Sequence, residues 1–163
     1  DSLRSRGLGD VYKRQLMDDM LDTMYDAPGI GLAAVQIGVP LRVIVMDISW
    51  RNEEGIKEPL YFVNPEITVK TKNLSTYEEG CLSVPDQYAE IDRPEECEIN
   101  FLDYNGKKST LNAKGLLATC IQHEMDHLEG ILFIDHLSNM KRNMIGKKLI
   151  KTRKQSKKER IVA

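Results

Sequence analysis

The chain has 163 residues, of which 41% are hydrophobic and 29% charged, and a formal net charge of −2. That balance is ordinary for a soluble globular protein and, at this length, describes one domain able to bury a core of its own. No apolar run approaches the ~20 residues needed to cross a bilayer, and no signal-peptide core opens the chain, so we expect no membrane partner and a cytoplasmic protein.

Three cysteines, Cys81, Cys97 and Cys120, cannot all pair, which excludes a disulfide framework and leaves free thiols or thiolate ligands. The small net charge hides an asymmetry. Residues 140–163 hold ten Lys or Arg against one acidic residue, Glu159, while residues 1–139 hold 13 basic and 24 acidic residues. A basic tail on an acidic body points to a polyanionic partner, nucleic acid first among them.

In chain order, residues 1–15 show no period and read like a translated linker, a non-native or disordered leader outside the fold. Residues 15–27 turn helical. Leu16, Met17, Met20, Leu21 and Met24 form an apolar stripe opposite Asp18, Asp19 and Asp22, and Pro28-Gly29 ends it. The run Gly29-Ile30-Gly31-Leu32-Ala33-Ala34-Val35-Gln36 carries a glycine spacing seen in dinucleotide sites. It follows a helix rather than a strand, so the glycines more simply allow close backbone approach. Residues 42–48 are a buried strand, and residues 60–69 a second one interrupted by Pro65. Strands over 97–103 and 108–113 flank Asn105-Gly106, a strong hairpin signal. Residues 116–128 form a helix that Gly130 can end, and Ser138 caps a long basic helix. The expected fold is α+β: short antiparallel strands packed around a central metal-binding helix, with a C-terminal helix.

That central helix carries Gln122-His123-Glu124-Met125-Asp126-His127. Histidines at i and i+4 lie one turn apart on one face and reach a common cation, and a glutamate beside the first suits proton transfer from water. A catalytic metal needs a third protein ligand. His136 lies beyond the helix end with no implied geometry, and Asp126 points off the shared face. Cys81, beside Gly80, offers a thiolate, and one thiolate with two imidazoles suits Zn²⁺ or Fe²⁺. We favour Cys81. Cys97, in an apolar strand, reads as an inert buried thiol.

Three segments, Gly29 to Gln36, Glu79-Gly80-Cys81-Leu82-Ser83, and Gln122 to Leu128, resemble the three signature motifs of peptide deformylase, in the family's order and approximate spacing. The resemblance covers nearly everything from residue 15 to the basic tail, and the compact spacing is similar to the bacterial type 1 enzymes. It implies that residues 16–139 are the catalytic domain and 140–163 a basic C-terminal helix. It implies that Cys81, His123 and His127 hold one divalent ion, Fe²⁺ natively, with Zn²⁺, Ni²⁺ or Co²⁺ able to substitute. Glu124 is then general base and acid in removing the formyl group from N-formylmethionyl peptides. Gln36 and the Leu82 backbone N–H steady the oxyanion.

The same likeness puts Ile30, Gly31 and Gly80 along the substrate cleft, with Leu116 and Cys120 walling a slot for the methionine side chain. Glu79 with Arg93 is either an ion pair steadying the Cys81 loop or a plain surface pair. The basic helix implies docking on the ribosome through rRNA phosphates. One departure stands out: residues 1–15 do not resemble the strand-forming segment that precedes the first helix in the family. Three other functions fit parts of the pattern. A metalloendopeptidase would use the two histidines without Cys81, a thiol enzyme would use Cys81 without metal, and a ribosome-binding module would have an inactive site.

Overall fold

The computed structural model describes residues 2–162, and the side chains of residues 9–158. The first helix, α1 (Ser2–Asp26), is seated by its methionines: Met17, Met20 and Met24 are buried to 1% exposure or less. It begins at Ser2 rather than near residue 15, which corrects the expected start. A nucleated helix propagates at little cost through residues that add no packing of their own, and Val11 and Tyr12 are both 58% exposed. Asp1 and the side chains before residue 9, part of the expected leader, lie outside the described residues.

Among the described residues seven strands follow. The first three are β1 (Gly31–Ala33), β2 (Val43–Met46) and β3 (Leu60–Lys70). Then come β4 (Leu74–Cys81), β5 (Val84–Pro94), β6 (Glu96–Leu102) and β7 (Lys108–Lys114). Five of them form an antiparallel sheet in the order β1-β2-β3-β6-β7, and β4 pairs with β5 alone. Period-two alternation gives the main sheet two buried faces. Leu32, Val43, Val45 and Val63 pack on α1, while Ala33, Ile44, Met46, Phe62 and Ile99 pack on the opposite side. That explains the unbroken apolar run of β2. Pro65 is accommodated in β3 by an irregularity in its pairing with β6 between Val63 and Glu66, where Asn64 adopts a φ of 49°. The β6–β7 turn is as the sequence predicts, with Gly106 at φ 80° and Asp103 accepting the N–H groups of Asn105 and Lys107 at 2.9 Å each.

The second helix, α2 (Gly115–Leu128), lies between the sheet and the β4–β5 hairpin. Ala118, Thr119, Cys120, Ile121, Gln122, His123, Glu124 and His127 are all buried, so polar side chains on its hairpin side are held in a low-dielectric interior. After a 3-10 turn (Phe133–His136), α3 (Asn139–Val162) starts from Ser138, whose hydroxyl accepts the Lys141 N–H at 3.3 Å. Ile145 and Leu149 seat α3 against β5 and the 3-10 turn. From Lys151 to Lys158 every side chain is exposed. Among the described residues no helix is long and apolar enough to cross a membrane.

Candidate metal centre and its cleft

The i, i+4 spacing on α2 brings His127 Nε2 to 3.1 Å from His123 Nε2. Cys81 arrives from the hairpin. Its Sγ lies 3.3 Å from His127 Nε2, at the point where the β4–β5 register shifts between Gly80 and Cys81. One donor atom each from Cys81, His123 and His127 falls within 4.8 Å of the others. His136, weighed as a ligand from sequence, is not part of this group.

The ring orientation of His123 is fixed from behind. Its Nδ1 is 2.8 Å from Glu79 Oε1, a carboxylate oxygen that accepts, so Nδ1 carries a proton and Nε2 is turned to the cluster. Glu79 is clasped by Arg93 through Nε at 2.7 Å and Nη2 at 2.9 Å, with both side chains 5% exposed. The pair is therefore buried and bidentate rather than a surface contact. Asp126, adjacent to His127, takes the remaining arm of Arg93 at 2.8 Å.

These charges tune the ligands. Burial disfavours a Cys81 thiolate, but hydrogen bonds from His123 and His127 outweigh it and bring the pKa down to about 5. Burial likewise disfavours an imidazolium at His123, yet the anionic neighbours Cys81, Glu79 and Glu124 lift it to about 10. The cluster thus pairs a thiolate with an imidazolium, and a divalent cation that displaced the imidazolium proton would find one sulfur and two ring nitrogens as donors. Burial pushes the other thiols the opposite way: Cys97 is raised, and Cys120, its Sγ 4.0 Å from the Ile30 carbonyl, is raised well above its ordinary value.

Glu124 is 4% exposed, and burial raises its pKa despite the two histidines. Among the described residues its Oε2 has no hydrogen-bond partner, an oxygen that asks for a donor in the cleft. Gly31 faces it so closely that a Cβ there would lie 2.7 Å from Glu124 Oε1. Gln36, in the 3-10 turn Ala34–Ile37, accepts the Ala33 N–H through Oε1 at 2.9 Å. This aims Nε2 at Cys81 Sγ, 3.4 Å away, and at Ser83 Oγ, 3.2 Å away.

The donors open onto a cavity of about 550 Å³. Ile30, Gly31, Gln36, Gly80, Leu116 and Cys120 line it, as does Leu82, so every residue expected along the cleft is there. Sequence reasoning missed Tyr88, whose ring lies where a Gly80 Cβ would come within 2.5 Å of it, and Arg51 at the rim. It also missed Asp47, which is 0% exposed and accepts the Tyr25 hydroxyl and the N–H groups of Ser49, Trp50 and Glu58. Trp50 in turn donates to the Gly29 carbonyl at 3.0 Å, tying that loop to the cleft. An aspartate ending an apolar strand was the available signal.

A family model described as polypeptide deformylase matches residues 6–143. The peptide deformylase of Pelagibacter ubique is 72% identical over 139 residues, covering 85% of this chain and 80% of that protein. That of Agrobacterium fabrum is 56% identical over 142 residues, covering 87% and 82%. The crystal structure of peptide deformylase from Ehrlichia chaffeensis in complex with actinonin is similar with a TM-score of 0.79 at 42% identity, over 85% of this chain and 82% of that one.

Proposed function

The chain belongs to the peptide deformylase family, and from that premise we propose how its own residues remove the formyl group from the N-terminal formylmethionine of nascent polypeptides. The family is a metal-dependent hydrolase family, and the donor set fits: a thiolate and two Nε2 atoms converge beside an unpartnered Glu124 oxygen. That convergence is the observation that carries the reading. Cys81, His123 and His127 would hold one divalent ion, and one thiolate with two imidazoles suits Fe²⁺, our proposal for the native metal, as well as Zn²⁺, Ni²⁺ or Co²⁺. When bound, such an ion would supply Lewis acidity, which lowers the pKa of water towards ~7.

The chain's own groups do the rest. Glu124 takes the proton of the attacking water and hands it to the departing amine, a role its raised pKa suits. Gln36 Nε2 and the Leu82 N–H donate to the developing oxyanion, and losing one such donor typically adds ~3–4 kcal/mol to the barrier. Formate and a free N-terminal methionine result. Ile30, Gly31 and Gly80 lie along the peptide, and Leu116 with Cys120 walls the methionine slot. Glu79 and Arg93 hold His123 in register. Residues 16–139 form the catalytic domain, with residues 140–163 as a basic helix for rRNA phosphates. A ribosomal partner places the protein in the cytoplasm.

Formate release from formyl-Met-Ala-Ser tests this. The metal-loaded protein should release formate, lose activity in chelator and regain it with divalent metal. Turnover that persists in chelator would favour a thiol enzyme, and casein cleavage without formate would favour an endopeptidase.

A further inference from the structure

One hydrogen-bonded chain of side chains runs from solvent to the back of a metal-facing imidazole, and its outer end has no role in the chemistry above. His136 Nε2 lies 2.7 Å from Asp126 Oδ2. The same oxygen accepts from Arg93 Nη1 at 2.8 Å. Arg93 clasps both oxygens of Glu79, and Glu79 Oε1 meets His123 Nδ1 at 2.8 Å. Side-chain exposure falls along it from 37% at His136 to 22% at Asp126 and 5% at Arg93.

His136 is not a loose surface group. It closes the 3-10 turn Phe133–His136, whose first residue is 1% exposed and whose ring lies beside that of His123, 6.3 Å between centroids and 21° from parallel. Asp135 in the same turn accepts the Leu132 N–H at 2.9 Å. One short turn therefore reaches His123 twice, through Phe133 directly and through His136 at the far end of the chain.

We propose that His136 is a positioning residue for the metal centre, acting through Asp126, Arg93 and Glu79 on His123. Asp126 is the mobile link, because it is the one carboxylate in the chain with access to water. Two donors on a single oxygen, one of them carried by a seated turn, hold it in the rotamer that meets Arg93. With Asp126 held, both remaining arms of the guanidinium stay on Glu79, and Glu79 keeps the His123 ring turned with Nε2 towards Cys81. A partly exposed pair of this kind contributes little to global stability. Its effect falls on ligand orientation, where outer partners of a metal ligand matter most.

The proposal rests on the assignment of Cys81, His123 and His127 as ligands, and cobalt-loaded protein separates the two. His136→Phe keeps a ring and removes the donor, whereas His136→Gln keeps a donor near the Nε2 position. Three quantities are read: the rate of Co²⁺ loss to a chelator, the visible spectrum of the Co²⁺–thiolate centre, and kcat and KM on formyl-Met-Ala-Ser. We expect His136→Phe to lose Co²⁺ about tenfold faster, to shift the spectrum and to lower kcat at unchanged KM, with the thermal midpoint held. His136→Gln should restore most of each. Wild-type Co²⁺ retention and spectrum in His136→Phe would overturn the proposal alone, as would equal damage in both variants. Failure of the wild-type protein to bind Co²⁺ through Cys81 would overturn the ligand assignment and this proposal with it.

Discussion

Replacing Arg93 by methionine removes a guanidinium that two carboxylates share. Glu79 and Arg93 are both 5% exposed, and Asp126 is 22% exposed, so water cannot replace what is lost on the Glu79 side. Glu79 would keep only His123 Nδ1 as partner, leaving a carboxylate in the interior with one donor. Breaking a buried pair by removing one member costs about 3–5 kcal/mol, against a total stability of about 5–15 kcal/mol. With a urea dependence of about 2 kcal/mol per molar, the unfolding midpoint of the metal-free protein should fall by roughly 2 M. Urea titration followed by far-ultraviolet circular dichroism reads this directly. Replacing Glu79 as well, by methionine, should recover part of the loss, because an apolar pair leaves no stranded charge. A midpoint shift below about 0.5 M would show Arg93 behaving like a solvent-screened surface pair, and the account of how His123 is held would fail.

Glu124→Ala should bind one equivalent of metal and lose about 10²- to 10⁴-fold in kcat; metal analysis beside formate assays checks both, and full turnover would remove Glu124 from the mechanism. Asp47→Asn should destabilise the fold by about 2 kcal/mol or more, since five groups donate to that buried carboxylate. Burial alone would raise the Asp47 pKa, but its hydrogen bonds with Tyr25, Ser49 and Glu58 hold it below the ordinary value of about 4. Its stabilisation is then full above that value and lost as pH falls through the lower folded pKa. Denaturation curves should show a constant gap to the variant between pH 6 and 8 that narrows below about pH 4, and a gap that widens there would contradict the assignment. Changing Lys147, Lys148, Lys151, Arg153 and Lys154 to glutamine should leave the melt unchanged and weaken ribosome co-sedimentation. The log–log salt slope should drop by up to about 4, and undiminished binding would sink the proposed rRNA contact.

The convergence of Cys81, His123 and His127 was legible because each obeys a local rule. His123 and His127 share a helix face by spacing alone, and Cys81 stood out as a thiol beside a glycine outside any apolar strand. Met17, Met20 and Met24 announced a buried helix face by period. The β4–β5 hairpin was not read as paired strands, because it alternates weakly and leaves Leu74 and Tyr88 exposed at 59% and 66%. The start of α1 was missed since residues before 15 show no apolar stripe. Nothing local joins Asp126 to His136 or Asp47 to Tyr25. Those contacts depend on where the chain returns after a turn, and residue type at a fixed spacing carries no record of that. Likewise Glu79 and Arg93 are a buried pair because α2 packs over the hairpin, a contact between segments far apart in the chain.

X-ray absorption on the zinc-loaded protein tests the central claim most directly. The account predicts one sulfur at about 2.3 Å and two imidazole nitrogens at about 2.0–2.1 Å, with the sulfur lost in Cys81→Ser. A shell of nitrogen and oxygen alone in the unmutated protein would contradict it.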